Sequence, residues 1–245
     1  HAGCSRVQDA YTLRCSPQIH GASKDAVAHA KKVLDIEINS TTTNPLIFPD
    51  VDDFRLGGNF HGQPVAMAAD YLSIGLAELG SVSERRIERL VNPQLSELPA
   101  FLVRDGGLNS GYMIGQYAAA SLVSENKVLA HPACVDSIPT SANKEDHVSM
   151  GTTAMRQARD ILNNVEHVVA IELLCACQAY DLICQDKKLK AGRGTRVAYD
   201  TIRAQIPYLE QDRELYTDIE TVVGMIRSGQ IVEKVEAAIG ELKGY

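Results

Sequence analysis

Apolar residues recur every three or four positions along several long stretches of the chain, which is the spacing of helices that bury one face. This pattern predicts helices over residues 17–35, 61–91 and 112–130. The stretch 145–182 carries a longer apolar stripe, in a part of the chain that has no proline between Pro139 and Pro207. It predicts a helix of roughly forty residues, which is about 55–60 Å long.

A helix of that length is too long for one compact domain of this size to cover. Such helices usually bury their apolar faces in a bundle that is shared between chains. We therefore expect an all-α fold built as a long-helix bundle. Short extended segments at 46–48 and 54–56, ahead of Gly57 and Gly58, predict minor short strands near residues 46–58.

A basic, glycine-containing run follows the long helix and breaks its pattern; it contains Lys187, Lys188, Lys190, Gly192, Arg193 and Gly194. We interpret its glycines as a helix-terminating turn. The run divides a central long-helix region, residues 1–185, which would carry part of an active site, from a C-terminal helical extension, residues 186–245. Both regions would belong to one continuous domain.

Composition and charge narrow the class of protein. The 245 residues are 45% apolar, and the net charge of −7, without a cluster of basic and aromatic residues, argues against nucleic acid as a partner. No run approaches the roughly 20 continuous apolar residues of a membrane span, so we expect no membrane contact. The chain begins without an initiator methionine or a signal peptide, so we expect a fragment or a processed product.

The six cysteines predict reduced, buried thiols rather than a disulfide framework. Cys175 and Cys177 stand two residues apart on a predicted helix and would point to opposite sides. The paired C-x-x-C spacing of zinc sites is missing. We therefore expect a cytoplasmic protein that binds no metal.

Polar residues cluster in stretches that can carry chemistry, and the first of these lies near the start of the chain. Gln8, Tyr11 and Arg14 recur every three residues and would share one face of a helical turn. An amide, a phenol and a guanidinium on one face can bind a carboxylate beside a proton-transfer group. The alternative is an amphipathic turn whose arginine pairs with a surface acid.

Two further polar stretches precede long predicted helices. Phe60 and His61 stand among glycines and could form the wall of an aromatic pocket. The alternative is that they belong to a glycine-rich turn before the next helix. Glu145, Asp146 and His147 stand at the predicted start of the longest helix. Two acids and a histidine there suit proton chemistry, and helix capping is the alternative.

Four longer sequence segments, which contain these stretches, are specific enough to indicate a family. They are QDAYTLRCSPQIHG at 8–21, GGNFHGQPVA at 57–66, ELGSVSERRIERLV at 78–91 and HPACVDSIPTSANKEDHVSMG at 131–151. They stand in the order of the histidine ammonia-lyase family, and nearly the whole chain resembles the carboxy-terminal half of such an enzyme. The resemblance implies an all-α homotetramer that removes ammonia from L-histidine to give trans-urocanate.

The resemblance also implies roles for individual residues. Arg14 would hold the substrate carboxylate by a bidentate pair. Gln8 and Tyr11 would line the site, with Tyr11 as a hydrogen-bonding or proton-transfer group. Phe60 would form an apolar wall, and Glu145 would face the substrate imidazole as a partner or an assisting base. Each pocket of the family is shared between subunits, so these residues need not meet within one chain.

The chain departs from the family in one respect. The family's electrophile, 4-methylidene-imidazol-5-one, forms from an Ala-Ser-Gly triad, but the Ser-Gly pairs here, Ser110-Gly111 and Ser228-Gly229, follow Asn109 and Arg227. The resemblance places the triad in the amino-terminal half of the enzyme, which we therefore expect as a partner. We expect the chain alone to be inactive.

Alternatives remain open at this point. Phenylalanine or tyrosine ammonia-lyases and related aminomutases usually carry an uncharged glutamine where this chain has Glu145, and a carboxylate suits an imidazole N–H better than a phenyl ring. Fumarase- and aspartase-type lyases also form long-helix tetramers, but residues 137–143 do not match their Ser-Ser-x-Met-Pro-x-Lys-x-Asn loop. An inactive helical assembly module is a further alternative.

Overall fold

The computed structural model describes residues 7–186 and 190–242 of the chain, and helices dominate it. In chain order the elements are α1 (Tyr11–Arg14), α2 (Ser16–Glu37), β1 (Leu46–Phe48), β2 (Asp53–Arg55), α3 (Gln63–Val91), α4 (Pro93–Ser96), α5 (Met113–Leu129), α6 (Gly151–Asp186), α7 (Arg193–Arg203), α8 (Leu215–Arg227) and α9 (Gln230–Ile239). Strands β1 and β2 pair antiparallel, with Leu46 opposite Arg55. The prediction of an all-α fold with minor short strands near residues 46–58 is confirmed.

Two predictions about helix ends are wrong. The longest helix begins at Gly151 and not at Glu145, because residues 140–145 close a tight loop of their own before it. Gly192 does not terminate a helix but is the N-terminal cap residue of α7. Lys187 and Lys188 lie outside the described residues, and the domain boundary at residue 186 stays a prediction.

The contacts within the chain define two compact units. The first contains the described parts of residues 1–14, 80–125 and 163–245, and the second contains residues 15–79 and 126–162. Helices α3, α5 and α6 each contribute residues to both units.

The first unit has an apolar core formed by the later turns of α3 and α6 with α5, α7 and α8. Its largest fully buried side chains include Tyr112, Ile87, Leu102, Ile171, Leu174, Leu182, Ile202 and Leu209. Cys175 and Cys177 are buried in the same core as free thiols. Burial raises the pKa of Cys177 to about 11 and also raises the pKa of Cys175.

One buried polar side chain connects the loops around this core. The Gln178 amide nitrogen donates to the carbonyl oxygens of Leu102 and Leu209, at 3.1 and 2.9 Å. Its oxygen accepts from the Leu209 N–H at 3.0 Å and from Arg203 Nη2 at 3.3 Å. All the strong donor and acceptor positions of this amide are therefore used, which offsets the cost of burying it.

The second unit is built around α2 and the first turns of α3. Ser23 and Ala26 of α2 lie against Gly75 of α3, and the rings of His29 and Tyr71 meet edge to face with their centroids 5.6 Å apart. Small side chains allow the two helices to approach closely. This packing holds α2 against the third and fourth turns of α3.

Helix α3 and residues 151–184 of α6 are long and apolar enough to cross a membrane, judged by length and composition alone. Half of the residues in the most apolar window of each helix are buried inside the protein. The core helices of soluble proteins also meet these criteria of length and composition. The expectation of no membrane contact therefore stays a prediction.

Candidate active site

Tyr11 and Arg14 lie on one face of α1. The Arg14 guanidinium carbon stands 5.0 Å from the centroid of the Tyr11 ring, a cation–π distance. Both side chains are exposed, Tyr11 by 68%, so a ligand can reach the phenol and the guanidinium together. Gln8 lies in a bend before the helix and is exposed, so the prediction that all three share a helical face holds only for Tyr11 and Arg14.

Glu145 is held by a tight loop. Its backbone forms an antiparallel bridge with Thr140, in which the Thr140 N–H donates to the Glu145 carbonyl at 3.0 Å. The Thr140 hydroxyl donates to the Glu145 carboxylate at 2.5 Å. The side chain remains exposed. The structure thus presents an oriented carboxylate that a ligand can approach.

The loop between Thr140 and Glu145 is strained. Ser141, Ala142 and Asn143 have φ angles of +54°, +52° and +67°, in the left-handed region that residues with a side chain rarely adopt. Such conformations cost about 1–3 kcal/mol each and cluster at functional sites. Helix capping does not explain Glu145, because α6 starts six residues later and has no acidic residue in its first turn.

Phe60 lines an open cavity of about 750 Å³ in the second unit. Val65, Ser149, Met155 and Arg156 also line it. The Phe60 side chain is 56% exposed, so its ring is available as an apolar wall. His61 is not among the residues that line this cavity, so the interpretation in which Phe60 and His61 wall an aromatic pocket holds only for Phe60. The substrate-binding role of Phe60 stays a prediction.

The structure brings the Phe60 and Glu145 stretches into contact. The ring nitrogen Nε2 of His61 is 2.9 Å from the carbonyl oxygen of His147. The two imidazole rings also stack, with centroids 5.7 Å apart and an interplanar angle of 18°. Both stretches belong to the second unit, whereas Tyr11 and Arg14 belong to the first.

The sequence analysis missed the residues that anchor the stretch leading to Glu145. The buried Asp70 carboxylate accepts from the Cys134 N–H at 2.7 Å, and the Gln63 side chain donates to the Cys134 carbonyl at 3.0 Å. Desolvation and the neighbouring Asp70 raise the pKa of the Cys134 thiol to about 11. Gln63 and Asp70 are seven residues apart in the mostly apolar first turns of α3, and this spacing was the available signal.

The residues that the structure describes contain no group of three or more histidine, cysteine or acidic side chains that could hold a metal ion. The first unit presents a phenol beside a guanidinium, and the second unit presents an exposed aromatic ring and a hydrogen-bonded carboxylate. A guanidinium can bind a carboxylate, and a carboxylate can accept from an N–H group.

Comparisons with known proteins identify relatives of this chain. The chain is 63% identical over 243 residues to the histidine ammonia-lyase of Gloeobacter violaceus, covering 99% of the chain and 47% of the relative. It is 62% identical over 239 residues to that of Natranaerobius thermophilus, covering 97% and 46%. The chain therefore spans about half the length of these curated relatives.

Solved structures show the same similarity. Histidine ammonia-lyase from Trypanosoma cruzi matches with a TM-score of 0.89 and 51% identity, over 94% of this chain and 45% of that one. Tyrosine aminomutase from Streptomyces globisporus matches with a TM-score of 0.90 and 38% identity, over 97% and 45%. The family model for aromatic amino acid lyases matches residues 1–204. Because that match covers most of the sequence, the chain belongs to the aromatic amino acid lyase family.

Proposed function

We propose that this chain is part of a carbon–nitrogen lyase that removes ammonia from L-histidine without oxidation and yields trans-urocanate. The observation that carries the proposal is the exposed Glu145 carboxylate, held by the Thr140 hydroxyl. A carboxylate complements an imidazole N–H, whereas a phenyl ring would leave the charge without a partner. The identity to relatives named histidine ammonia-lyase, 63% and 62%, supports the same substrate.

The residues of this chain would bind and orient the substrate. Arg14 would bind the substrate carboxylate, because a guanidinium presents two parallel donors that match two carboxylate oxygens. Tyr11, next to Arg14 on α1, would donate a hydrogen bond or transfer a proton at the reacting end. Gln8 would line the site beside them. Phe60 would exclude water from the ring of the substrate, and Glu145 would accept from the imidazole or assist as a base.

The electrophile of the family, 4-methylidene-imidazol-5-one, would supply the electron sink that such an elimination needs. The residues present do not fit its formation in this chain. Ser110 and Gly111 use their N–H groups to bind the Asp212 carboxylate, at 2.7 and 2.8 Å, and they follow Asn109 instead of alanine. Ser228 and Gly229 follow Arg227 and connect α8 to α9.

The proposal includes partners for the chain. We propose that the amino-terminal half of the same enzyme supplies the Ala-Ser-Gly triad, and that the complete enzyme is a cytoplasmic homotetramer that needs no metal, nucleic acid or membrane. Apolar side chains on the long helices support assembly, because Met67, Ile74, Met155 and Leu162 remain between 38% and 58% exposed. Amphipathic helices that leave part of their apolar face exposed can complete its burial by association.

The decisive experiment measures urocanate from its ultraviolet absorbance. We expect no product from the purified 245-residue chain and robust turnover when the amino-terminal half is supplied in cis or as a second chain. Turnover by the chain alone, with no partner polypeptide detected by mass spectrometry, would contradict the proposal. Tyrosine and phenylalanine serve as matched substrates, and faster conversion of either than of histidine would favour the aminomutase or aromatic ammonia-lyase alternative.

A further inference from the structure

His61 connects two separate parts of the candidate site in the second unit. Its ring nitrogen Nε2 is 2.9 Å from the carbonyl oxygen of His147, and its Nδ1 is 3.3 Å from the backbone nitrogen of Gln63. A backbone N–H can only donate and a carbonyl oxygen can only accept. These partners therefore select the neutral tautomer in which Nε2 carries the proton and donates to His147, while Nδ1 accepts from Gln63.

The contact between the two stretches extends beyond this hydrogen bond. The imidazole rings of His61 and His147 stack. The next residue, Gly62, lies so close to Ser149 that a Cβ atom at position 62 would be 2.9 Å from the serine hydroxyl oxygen. The Gly62 carbonyl in turn accepts from the Ala66 N–H at 3.0 Å, at the start of α3. Successive residues of the two stretches therefore lie against each other.

Each end of the bridge is next to a candidate site residue. His61 follows Phe60 directly, and His147 comes two residues after Glu145. The backbone at these positions determines the direction in which the Phe60 ring and the Glu145 carboxylate point. Gln63, which donates to His61, also holds the Cys134 carbonyl through its side chain. The bridge therefore ties the Glu145 stretch to a rigid helix start.

We propose that His61 is a positioning residue of the substrate site, whose imidazole bridge holds the Phe60 wall and the Glu145 carboxylate in place for the ring of histidine. The proposal rests on the proposed function. His61 does not need to contact the substrate for this role. Displacements of about 1 Å in such supporting contacts are enough to reduce activity substantially.

The test uses substitutions in the complete protein that keep different halves of the bridge. His61→Gln can place an amide N–H near the position of Nε2 and so preserve donation to the His147 carbonyl. His61→Asn keeps only the position of Nδ1 and loses that donor, and His61→Leu loses both. The matched control is His29→Leu, which removes an exposed histidine that contacts Tyr71 in the same unit.

We expect His61→Leu and His61→Asn to lower kcat/KM for histidine by roughly five- to tenfold, mainly through a higher KM, because one neutral hydrogen bond is lost. His61→Gln should stay within about twofold of the wild type, and so should His29→Leu. Hydrogen exchange supplies a readout that is independent of activity. Backbone amides of residues 58–62 and 145–149 should exchange faster in the Leu and Asn variants and should stay protected in the Gln variant.

Equal kinetics for the Leu, Asn and Gln variants, or unchanged exchange in both segments, would overturn the positioning role. A wild-type complete protein that makes no urocanate would instead refute the proposed function, and with it the catalytic purpose of the bridge. The exchange measurement would still decide whether His61 joins the two stretches.

Discussion

At the scale of single residues, a local backbone conformation determines the surroundings of the Glu145 carboxylate. Three consecutive residues with positive φ precede it, and the turn they form lets the Thr140 hydroxyl reach the carboxylate. Rigid side chains lose less conformational entropy when a ligand binds. If Glu145 binds substrate as proposed, the strained turn at residues 141–143 would reduce the entropy lost on binding by holding the carboxylate in place.

The charge of Glu145 can be tested separately from its shape. In the complete enzyme, Glu145→Gln keeps an acceptor oxygen for Thr140 but removes the charge, so we expect kcat for histidine to fall roughly ten- to a hundredfold. Steady-state kinetics with urocanate detection provide the measurement. Asp146→Asn is the control, since it neutralises the neighbouring exposed acid and should leave kcat nearly unchanged. An unaltered rate in Glu145→Gln would remove Glu145 from the site.

The sequence predicted part of this local geometry. The three-residue spacing of Tyr11 and Arg14 placed them on one face, because a helical turn has a fixed period. It did not predict that Gln8 precedes the helix, because the three-residue spacing does not determine the residue at which a single turn begins. It also did not predict the anchors Asp70 and Gln63, because their partner, the backbone of Cys134, is more than sixty residues away and the spacing of the two residues does not identify it.

At the scale of elements, the first unit is held together by a reciprocal connection between two loops. The Asp212 carboxylate accepts from the N–H groups of Ser110 and Gly111, and the Asp212 N–H donates to the Asn109 side chain at 3.0 Å. Gly111 has a φ angle of +54°, and a Cβ atom there would lie 2.4 Å from the Phe101 carbonyl oxygen. The connection before α5 therefore depends on the absence of a side chain at this position.

Replacing this glycine should destabilise the first unit. We expect Gly111→Ala to lower the free energy of unfolding by roughly 2–4 kcal/mol, from the left-handed backbone and the collision with a backbone atom. Chemical denaturation of the complete protein is the measurement. Gly106→Ala is a matched control in the same loop, because a Cβ atom there meets nothing within 4 Å. A difference between the two variants below about 0.5 kcal/mol would contradict this interpretation of the loop.

Helix locations followed from the apolar spacing, but some helix ends did not. The stripe of α6 continues far enough to predict its length, whereas its start at Gly151 depends on the loop closed by Thr140 and Glu145. Gly192 is equally compatible with ending one helix or preceding another, because glycine adopts the backbone conformations of both caps. Helix ends are determined by such local hydrogen bonds and not by periodicity.

At the scale of the whole molecule, the long helices present apolar side chains that the chain itself leaves exposed. Tyr71 and Ile74 on α3 are 44% and 48% exposed, and Met155 and Leu162 on α6 are 38% and 43% exposed. Helices that bury only part of their apolar surface usually complete the burial by association. This agrees with the length argument made from the sequence.

Association can be measured directly. We expect light scattering to show an oligomer, most simply a tetramer, for the complete protein at micromolar concentration. Ile74→Glu should shift the population toward smaller species, because a charge buried in an apolar interface lacks a partner. Val51→Glu is a control at an exposed apolar residue outside the long helices. A stable, well-folded monomer of the wild type would reject the assembly.

The thiols buried in the core of the first unit can be used to measure how often that core opens. Cys175 is completely buried and Cys177 is 5% exposed, and burial keeps both as the unreactive protonated form at neutral pH. An alkylating reagent can therefore modify Cys175 only in molecules whose core has opened, so the labelling rate of Cys175 follows the population of that state. The partly accessible Cys15 and Cys184 provide an internal reference within the same molecule. Mass spectrometry of native protein can thus record the opening of this core without any introduced probe.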